Sequence, residues 1–395
     1  MDAIHAGAAQ DRLVGMTQDD TRNEEDEIRD HFASARRIVV KIGSSSLASA
    51  QAGLDMARLT SVVDVLAARQ LRGSEIILVS SGAIAAGLEP LKFTHRPSDV
   101  AQQQAAAAVG QGLLMSAYTQ AFGVHGVRVA QVLLTKEDLA RKKSYANALR
   151  TFGALTRLQV VPVVNENDTV ATKEIRFGDN DHLAALVAEL VRANALILLT
   201  DVDGLYTAHP RDPESVRLDF VPTVADLDID VVRPGSSGIG SGGMATKVEA
   251  ARLATAAGIP VGLTRWDQVG QILAGERVGT VFGASAKRLS RRHGWLAHAS
   301  FTHGQLHVDW GAVTALSHSG ASLLAAGITR VDGDFHAGDS VEVVSPDGRI
   351  IGRGVVNFDS SQLPDMLGRS SSDLGPQYAR PVVHRDDLVL RHDVT

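Results

Sequence analysis

Short apolar runs alternate with stretches of helical periodicity from Arg36 onwards. The run RRIVVKIG has, after its first two arginines, a short apolar centre interrupted only by Lys41, and it has the length of one strand. The segment that begins at Leu54 places four apolar residues on one helical stripe, namely Leu59, Val62, Val63 and Leu66. Because a short apolar run fits a buried strand and a spacing of three and four fits an amphipathic helix, the pattern predicts a strand followed by a helix.

The same alternation continues as far as Gly258. Further strands are predicted for EIILVSSG, VRVAQVLLT, VVPVVNEN and ALILLTDVDG. Helices are predicted for QQQAAAAVGQGLLMSAYTQAF, DNDHLAALVAELVRA and MATKVEAARLATAAG. Strands that are apolar on both faces and separated by helices indicate the α/β class, with a mainly parallel sheet sandwiched by helices. In such sheets ligands bind beyond the carboxyl ends of the strands.

The two ends of the chain depart from this pattern. Residues 1–35 are polar and lack a sustained period, so we expect a disordered leader, flexible or at most a frayed helix, outside the fold. The pattern assigns residues 36–284 to the α/β domain. Residues 285–304 contain the basic stretch ASAKRLSRRHG and are predicted to be a linker.

Residues 305–385 are predicted to form a small β-rich domain. Short β-like runs occur at LHVDWGAV, SVEVVSPDGRIIGRGVVNF and ARPVVHRDDLVLR. The sequence Pro346-Asp347-Gly348 between apolar runs predicts a hairpin turn.

Composition narrows the classes of function. The 395 residues include 39 basic and 45 acidic side chains and have a net charge of −6, which argues against binding nucleic acid or anionic membranes through bulk positive charge. The absence of cysteine excludes disulfides, thiolate metal sites and cysteine nucleophiles. No apolar run has the length of a signal peptide core or a membrane span, so we expect a cytoplasmic protein with no membrane partner.

Four predicted strands end in small, polar or glycine-rich tips. These tips are Lys41-Ile42-Gly43-Ser44-Ser45-Ser46, Ser80-Ser81-Gly82-Ala83, Asn165-Glu166-Asn167-Asp168 and Thr200-Asp201-Val202-Asp203-Gly204. On one sheet edge they would combine backbone N–H groups, a lysine and several carboxylates, which suits a phosphorylated ligand with a divalent metal. A solvated turn is the alternative for each tip alone, but four together favour a site.

A glycine-rich segment runs from Gly235 to Met244 and leads into a helix whose first turn holds Thr246 and Lys247. Glycines, a helix N-terminus and a lysine together suit an oligophosphate, although a flexible loop is the alternative. Residues 238–243 also match G-x-G-x-x-G, but no strand precedes them directly as a dinucleotide fingerprint requires.

The sequence GDNDHLAAL places Asp179, Asn180 and Asp181 at a predicted helix start. Helix capping needs only one such residue, so three in a row after a glycine favour a functional role. No metal-ligating residue is assigned, since the sequence has no HExxH motif.

These motifs, taken in order, resemble the amino-acid kinase superfamily, in the branch that phosphorylates the γ-carboxylate of L-glutamate. The segments that carry the resemblance are VVKIGSSSL, SSGAIAAG, VVNENDTVATKEIRFGDND, LLTDVDGLYTAHPR and GSGGMATK. The β-rich tail resembles a PUA domain. The resemblance implies direct in-line phosphoryl transfer from ATP, with Mg²⁺, to give glutamyl 5-phosphate as the first step of proline biosynthesis.

The resemblance also implies roles for individual residues. The catalytic residues would be Lys41, Lys247 and Asp181, with Asp181 holding both ammonium groups beside the transferring phosphoryl group. The ATP-binding residues would be Lys41, Gly43, Thr200, Asp201, Ser241, Gly242, Gly243, Met244, Ala245, Thr246 and Lys247. Of the substrate-binding residues, Asp168 would bind the α-ammonium, Ser81 and Asn180 the α-carboxylate, and Gly82 would let backbone N–H groups approach.

The resemblance further implies L-glutamate as substrate, feedback inhibition by proline and a homo-oligomer. His209 departs from the family, which usually has an acidic or amide residue there, and the leader has no family counterpart.

Two other functions stay open at this point. Another kinase of the superfamily would act on aspartate, N-acetylglutamate or a nucleotide, whereas NENDTVAT and GDND favour glutamate. An RNA-binding protein that works through the PUA-like tail would use the basic run Lys287, Arg288, Arg291 and Arg292. Under that alternative the kinase motifs have no role.

Overall fold

The computed structural model describes residues 18–49, 53–170, 180–208, 212, 214–224, 227, 243–284, 302–369, 374–375, 378 and 380–390. It divides into two compact units. The first unit consists of Met1–Thr135 and Thr151–Arg288, and the second of Lys136–Arg150 and Leu289–Thr395.

The α-helices are α1 Gln18–Ser34, α2 Ser44–Leu47, α3 Met56–Leu71, α4 Ala83–Leu88, α5 Val100–Val124, α6 Lys136–Ala140, α7 Lys142–Arg157, α8 Asn180–Val191, α9 Met244–Ala256, α10 Val269–Leu273 and α11 Trp310–Ser319. The strands are β1 Arg37–Ile42, β2 Ala48–Ser49, β3 Gly53–Leu54, β4 Glu75–Ser80, β5 Arg128–Leu134, β6 Val160–Glu166, β7 Ala195–Thr200, β8 Leu205–Tyr206, β9 Arg217–Leu218, β10 Phe220–Val221, β11 Val261–Arg265, β12 Thr280–Phe282, β13 Gly304–Val308, β14 Ile328–Gly333, β15 Ser340–Val344, β16 Ile350–Val356 and β17 Val383–Leu390.

An eight-stranded sheet in the order β10-β12-β11-β7-β1-β4-β6-β5 organises the first unit. Its strands pair in parallel except β11 with β12. Strand β1 lies between β4 and β7, with Ile38 opposite Ile76 on one side and Ala195 on the other. The predicted α/β class with a mainly parallel sheet is therefore confirmed.

The core of this unit follows the apolar pattern of the sequence. Every residue of β7 is buried, as both-sided coverage by helices requires. The four residues of the predicted stripe on α3 are all buried: Leu59, Val62, Val63 and Leu66. Helix α3 begins where Asp55 accepts a hydrogen bond from the backbone N–H of Arg58, which satisfies a donor that the first turn leaves unpaired.

The prediction that residues 1–35 form a disordered leader outside the fold is wrong for residues 18–34. These residues form α1, and its Phe32 is fully buried in the core. Arg29 is also buried, paired with Glu25 at 2.7 Å, and its Nη1 donates to the carbonyl oxygens of Glu276 and Val278. Because a charged pair occupies much of the packed face, the helix lacks the apolar period that would have revealed it.

The second unit contains a five-stranded sheet in the order β14-β13-β15-β16-β17. The predicted hairpin turn joins β15 to β16, which pair antiparallel, and Gly348 has a φ of +82°. The predicted β-like run LHVDWGAV is wrong in its second half, since α11 begins at Trp310. Asp309 starts that helix by accepting a hydrogen bond from the N–H of Ala312 at 2.7 Å.

Residues 136–150 lie in the second unit, although the sequence placed them inside a continuous domain of residues 36–284. Within that unit, Tyr145 packs against Val355. An amphipathic helix shows which of its faces packs but not which unit receives that face, so the pattern of the sequence could not reveal this assignment.

Residues 285–301, most of the predicted basic linker, lie outside the described residues. Among the residues that are described, none of the helices combines the length and apolarity needed to cross a bilayer.

Candidate active site

The strands that carry the four predicted tips are neighbours in the sheet. They lie in the order β7, β1, β4 and β6, and they run parallel. Their carboxyl ends therefore meet at one edge of the sheet, where parallel α/β proteins bind ligands. The tips at Lys41, Ser81, Asn165 and Thr200 thus lie together at this edge.

Two lysines share one aspartate at this edge, and we call Lys41, Asp181 and Lys247 the charged cluster. Nζ of Lys41, on β1, pairs with Oδ1 of Asp181 in the first turn of α8. Nζ of Lys247, in the first turn of α9, lies 3.0 Å from Oδ2 of the same carboxylate. The exposed fractions of Lys41, Asp181 and Lys247 are 2, 0 and 7 %. Two ammonium groups around one carboxylate leave a net positive charge in a low-dielectric site, which attracts an anion strongly.

Two glycines, Gly43 and Gly82, lie beside the charged cluster and at the end of the next strand. A Cβ on Gly43 would lie 3.5 Å from Nζ of Lys41. Gly82 precedes α4 with a φ of +105°, a left-handed conformation that favours glycine. The turn is held by the N–H of Ser81, which donates to the carbonyl oxygen of Ile42 at 3.1 Å.

Neutral side chains form a second group at the same edge, and we call Gln111, Asn165, Asn180 and Ser81 the amide network. Nδ2 of Asn180 lies 2.9 Å from both Oγ of Ser81 and Oδ1 of Asn165. Nδ2 of Asn165 in turn donates to Oε1 of Gln111 at 2.8 Å. Asn165 is 2 % and Gln111 8 % exposed. The network therefore crosses from the start of α8 to the interior of α5.

Asp168 lies in the turn that follows β6 and is half-buried. The turn is tied to the neighbouring strand, because the N–H of Asn167 donates to the carbonyl oxygen of Leu134 at 3.0 Å. Asp168 thus comes to the same edge as the amide network, as the sequence motif predicts.

Strand β7 ends in Thr200 and Asp201, whose Oγ1 and Oδ1 are 3.0 Å apart. Beyond them, Asp203 accepts hydrogen bonds from Tyr206 at 2.8 Å and from Arg217 at 3.2 Å. Burial acts to raise the pKa of Asp203, but the hydrogen bonds from Tyr206, its own backbone and Arg217 outweigh it and lower that pKa below its usual range. The end of β7 is therefore followed by two aspartates, of which Asp203 is neutralised by Arg217.

Helix α9 begins after Gly243, and its first turn faces the charged cluster. Oγ1 of Thr246 donates to the carbonyl oxygen of Gly243 at 2.7 Å and lies 3.2 Å from Oδ2 of Asp181. Met244 and Ala245 occupy the first two positions of the helix. Four residues named in the sequence motifs, Asp179, His209, Ser241 and Gly242, lie outside the described residues.

Three polar groups at this edge were not singled out from the sequence. Asn165 belongs to a motif but had no role, and its signal is an asparagine that ends an apolar strand. Gln111 lies on the alanine-rich helix α5, and one glutamine at this position does not stand out from the pattern of apolar and polar residues. Tyr118 lies seven residues further along α5 and pairs with Oγ of Ser80 at 2.8 Å, and burial raises its pKa.

Comparison with known families agrees with this fold. Residues 36–264 match the amino acid kinase family and residues 304–374 match the PUA domain. Because the first match covers more than half of the chain, the chain belongs to the amino acid kinase family.

Relatives of known name define its place within that family. The glutamate 5-kinases of Streptomyces coelicolor and Salinispora arenicola are each 54% identical to it, over 92% of this chain and 99% and 100% of their own lengths. The glutamate 5-kinase of Thermobifida fusca is 51% identical over 92% of this chain and 95% of its own length. The resemblance inferred from the motifs is thereby confirmed.

Proposed function

We propose that this chain transfers the γ-phosphoryl group of ATP to the γ-carboxylate of L-glutamate, giving glutamyl 5-phosphate and ADP as the first step of proline biosynthesis. Full-length relatives named glutamate 5-kinase support this function. The observation that carries the mechanism is the convergence of Lys41 and Lys247 on Asp181 at the ligand-binding edge.

The acceptor needs no general base. A glutamate side chain has a pKa near 4.3, so it is ionised and nucleophilic at neutral pH. One carboxylate oxygen forms a bond to the γ-phosphorus while the bond to the β,γ-bridging oxygen breaks, and ADP leaves with that electron pair. Catalysis therefore depends on alignment and on stabilising negative charge as it develops.

The charged cluster supplies the positive charge for this step. The ammonium groups of Lys41 and Lys247 would contact the oxygens of the transferring group, and Asp181 would keep both groups in position. Because all three are buried and already in contact, little reorganisation is needed when the transition state forms.

Mg²⁺ enters with ATP, since it is usually held by substrate phosphates and few carboxylates. Among the described residues there is no group of three or more acidic or histidine side chains that would hold a metal ion unaided. Phosphate oxygens would therefore supply most of the ligands, and the ion would neutralise phosphate charge.

The remaining roles divide along the edge of the sheet. The ATP-binding residues proposed are Lys41, Gly43, Thr200, Asp201 and residues 241–247. Ser81, Gly82, Asp168 and Asn180 are proposed to bind glutamate. Asp168 suits the α-ammonium, because a carboxylate forms a charge-assisted hydrogen bond to an ammonium group.

Cellular location, assembly and regulation also belong to this proposal. We infer a cytoplasmic homo-oligomer that proline inhibits, on the strength of the family resemblance. Size-exclusion chromatography with light scattering measures the assembly, and an assay with and without proline measures the inhibition.

Trapping the acyl phosphate tests the function. Incubation with ATP, Mg²⁺, glutamate and hydroxylamine should give a hydroxamate that depends on glutamate. Parallel assays with aspartate, N-acetylglutamate and UMP, read as ADP release, test the other kinases of the superfamily. Faster turnover of any of these than of glutamate, or folded protein that forms no hydroxamate, would refute the proposal.

A further inference from the structure

Two hydrogen bonds set the amide orientation of Asn165, one from the backbone N–H of Glu166 and one to the side chain of Gln111. Oδ1 of Asn165 accepts a hydrogen bond from the N–H of Glu166 at 2.9 Å, and a backbone N–H can only donate. Nδ2 of Asn165 therefore points away from that N–H and toward Gln111, whose Oε1 accepts from it at 2.8 Å.

The orientation of Asn180 is fixed in the same way at the other end of the network. Its Nδ2 donates to Oδ1 of Asn165 at 2.9 Å and lies 3.3 Å from the carbonyl oxygen of Ser80, and a carbonyl oxygen can only accept. The other polar atom of the Asn180 side chain is Oδ1. It is buried and has no hydrogen-bond partner among the described residues. A buried acceptor without a donor is costly, unless a ligand provides the donor.

Close packing of two helices brings Gln111 to this place. A Cβ on Gly110 would lie 1.8 Å from the carbonyl oxygen of Ala83, and a Cβ on Gly87 would lie 1.9 Å from that of Ala106. The backbones of α4 and α5 therefore touch at two glycines. Since α4 starts directly after Ser81 and Gly82, this contact helps to place Gln111 relative to the other members of the amide network.

We propose that Gln111 is a positioning residue that, together with the N–H of Glu166, fixes the amide of Asn165, and through it makes Asn180 present its carbonyl oxygen to the α-ammonium of glutamate. This inference rests on the proposed function. It revises the expectation that Asn180 binds the α-carboxylate, because an oxygen acceptor suits an ammonium group and repels a carboxylate.

Removal of the Gln111 acceptor would weaken the preference for this orientation, because one of its two hydrogen bonds is lost. Nδ2 of Asn165 would then be a buried donor without a partner, and only the N–H of Glu166 would still favour the observed orientation, so the flipped amide becomes less unfavourable relative to it. A flipped Asn165 would set one NH₂ group against that of Asn180. Asn180 would have to turn as well and present its own NH₂ group to the ammonium of the substrate.

Variants at position 111 test the proposal in the full-length enzyme. Gln111→Met and Gln111→Leu both remove the acceptor at similar volume. We expect each to raise the KM for glutamate about five- to twentyfold, with kcat within about threefold of wild type and the KM for ATP unchanged. Gln111→Glu keeps an oxygen that can accept from Asn165, so it should restore the KM for glutamate to within about threefold of wild type.

Glutarate distinguishes positioning from general loosening of the site, because it has both carboxylates of glutamate but no amino group. Its inhibition constant against glutamate should change by less than about twofold in Gln111→Met and Gln111→Leu. Circular dichroism and the thermal unfolding midpoint identify folded variants. One folded variant, either Gln111→Met or Gln111→Leu, is enough for the test.

Three results would overturn the inference. They are an unchanged KM for glutamate in a folded variant, a glutarate inhibition constant that rises in parallel with that KM, and a Gln111→Glu variant that behaves like Gln111→Met. If wild-type enzyme forms glutamate hydroxamate, these results refute the inference alone. If wild type forms none, the proposed function fails and the inference fails with it.

Discussion

The charged cluster and the amide network lie side by side, but they consist of different chemical groups. The cluster is proposed to stabilise the transferring phosphoryl group and the network to recognise glutamate. The cluster brings ammonium and carboxylate groups together, whereas the network contains only neutral amides and a hydroxyl. The two meet in consecutive residues at the start of α8, since Asn180 belongs to the network and Asp181 to the cluster. One helix start therefore positions both parts of the proposed site.

The contrast follows from what each substrate group needs. A transferring phosphoryl group gains charge on its oxygens in the transition state, and full positive charges stabilise it over a range of positions. Recognition of an amino acid depends on which atoms donate and which accept, and neutral hydrogen bonds are directional enough to decide this. We therefore expect changes in the cluster to lower kcat and changes in the network to raise the KM for glutamate.

The largest expected effect is that of Lys247→Ala. It removes one of the two positive charges that are proposed to stabilise the transferring group, so kcat should fall by about 10² to 10³. Steady-state hydroxamate formation measures kcat and both KM values. The exposed Lys143→Ala serves as the control and should match wild type. A change confined to the KM for glutamate would refute the catalytic role of Lys247. It would also show that the charged cluster does not differ from the amide network in its effect on kcat.

A smaller loss of about 10² in kcat is expected for Asp181→Asn, which keeps the shape but removes the carboxylate charge between Lys41 and Lys247. Two buried ammonium groups would then repel each other, so the thermal unfolding midpoint should fall as well. The exposed Asp365→Asn is the matched control. Activity within threefold of wild type would show that the lysines hold their positions without Asp181.

For the amide network, Ser81→Ala removes an acceptor of Asn180 Nδ2. A neutral hydrogen bond contributes about 0.5–1.5 kcal/mol, so the KM for glutamate should rise about three- to tenfold while kcat stays within threefold. Kinetics of this variant are compared with those of Ser61→Ala, an exposed serine on α3. A loss in kcat that exceeds the rise in KM would place Ser81 with the catalytic groups instead.

Much of the charged cluster could be predicted from the sequence, because its residues stand in motifs with a local signal. Lys41 ends a strand, Asp181 and Lys247 start helices, and the predicted contact of Asp181 with both lysines is present in the structure. A charged residue near the end of a predicted strand or helix can be recognised from the sequence alone.

The amide network could be predicted only in part. Ser81 and Asn180 stand in motifs, but Gln111 joins them through a contact between residues 54 positions apart in the chain. Its placement depends on the close approach of α4 and α5 at Gly87 and Gly110, which no local period records. Helix α1 was missed for a related reason, because its packed face carries an ion pair.

The smallest expected effect concerns two buried carboxyl groups on the same helix, α8. One of them is paired with ammonium groups and the other is not. Asp181 has two ammonium partners, whereas Oε1 of Glu189 has no hydrogen-bond partner among the described residues. Burial raises the pKa of Glu189 from 4.5 to about 7. An unpaired buried carboxyl should therefore stay protonated in the folded protein well above the pH at which it ionises in the unfolded chain.

The sign of the resulting pH dependence follows directly. Between pH 4.5 and about 7 the folded protein keeps the Glu189 proton and the unfolded chain releases it, so the free energy of unfolding falls as pH rises. Glu189→Gln cannot ionise, and it should be more stable than wild type by about 1–3 kcal/mol at pH 8 and similar to it at pH 4.5. Urea unfolding at both pH values measures this, with the exposed Glu27→Gln as control. Glu189 lies in neither the cluster nor the network, so kcat and both KM values should equal those of wild type; a loss of activity would mean that the far end of α8 also positions Asn180 and Asp181.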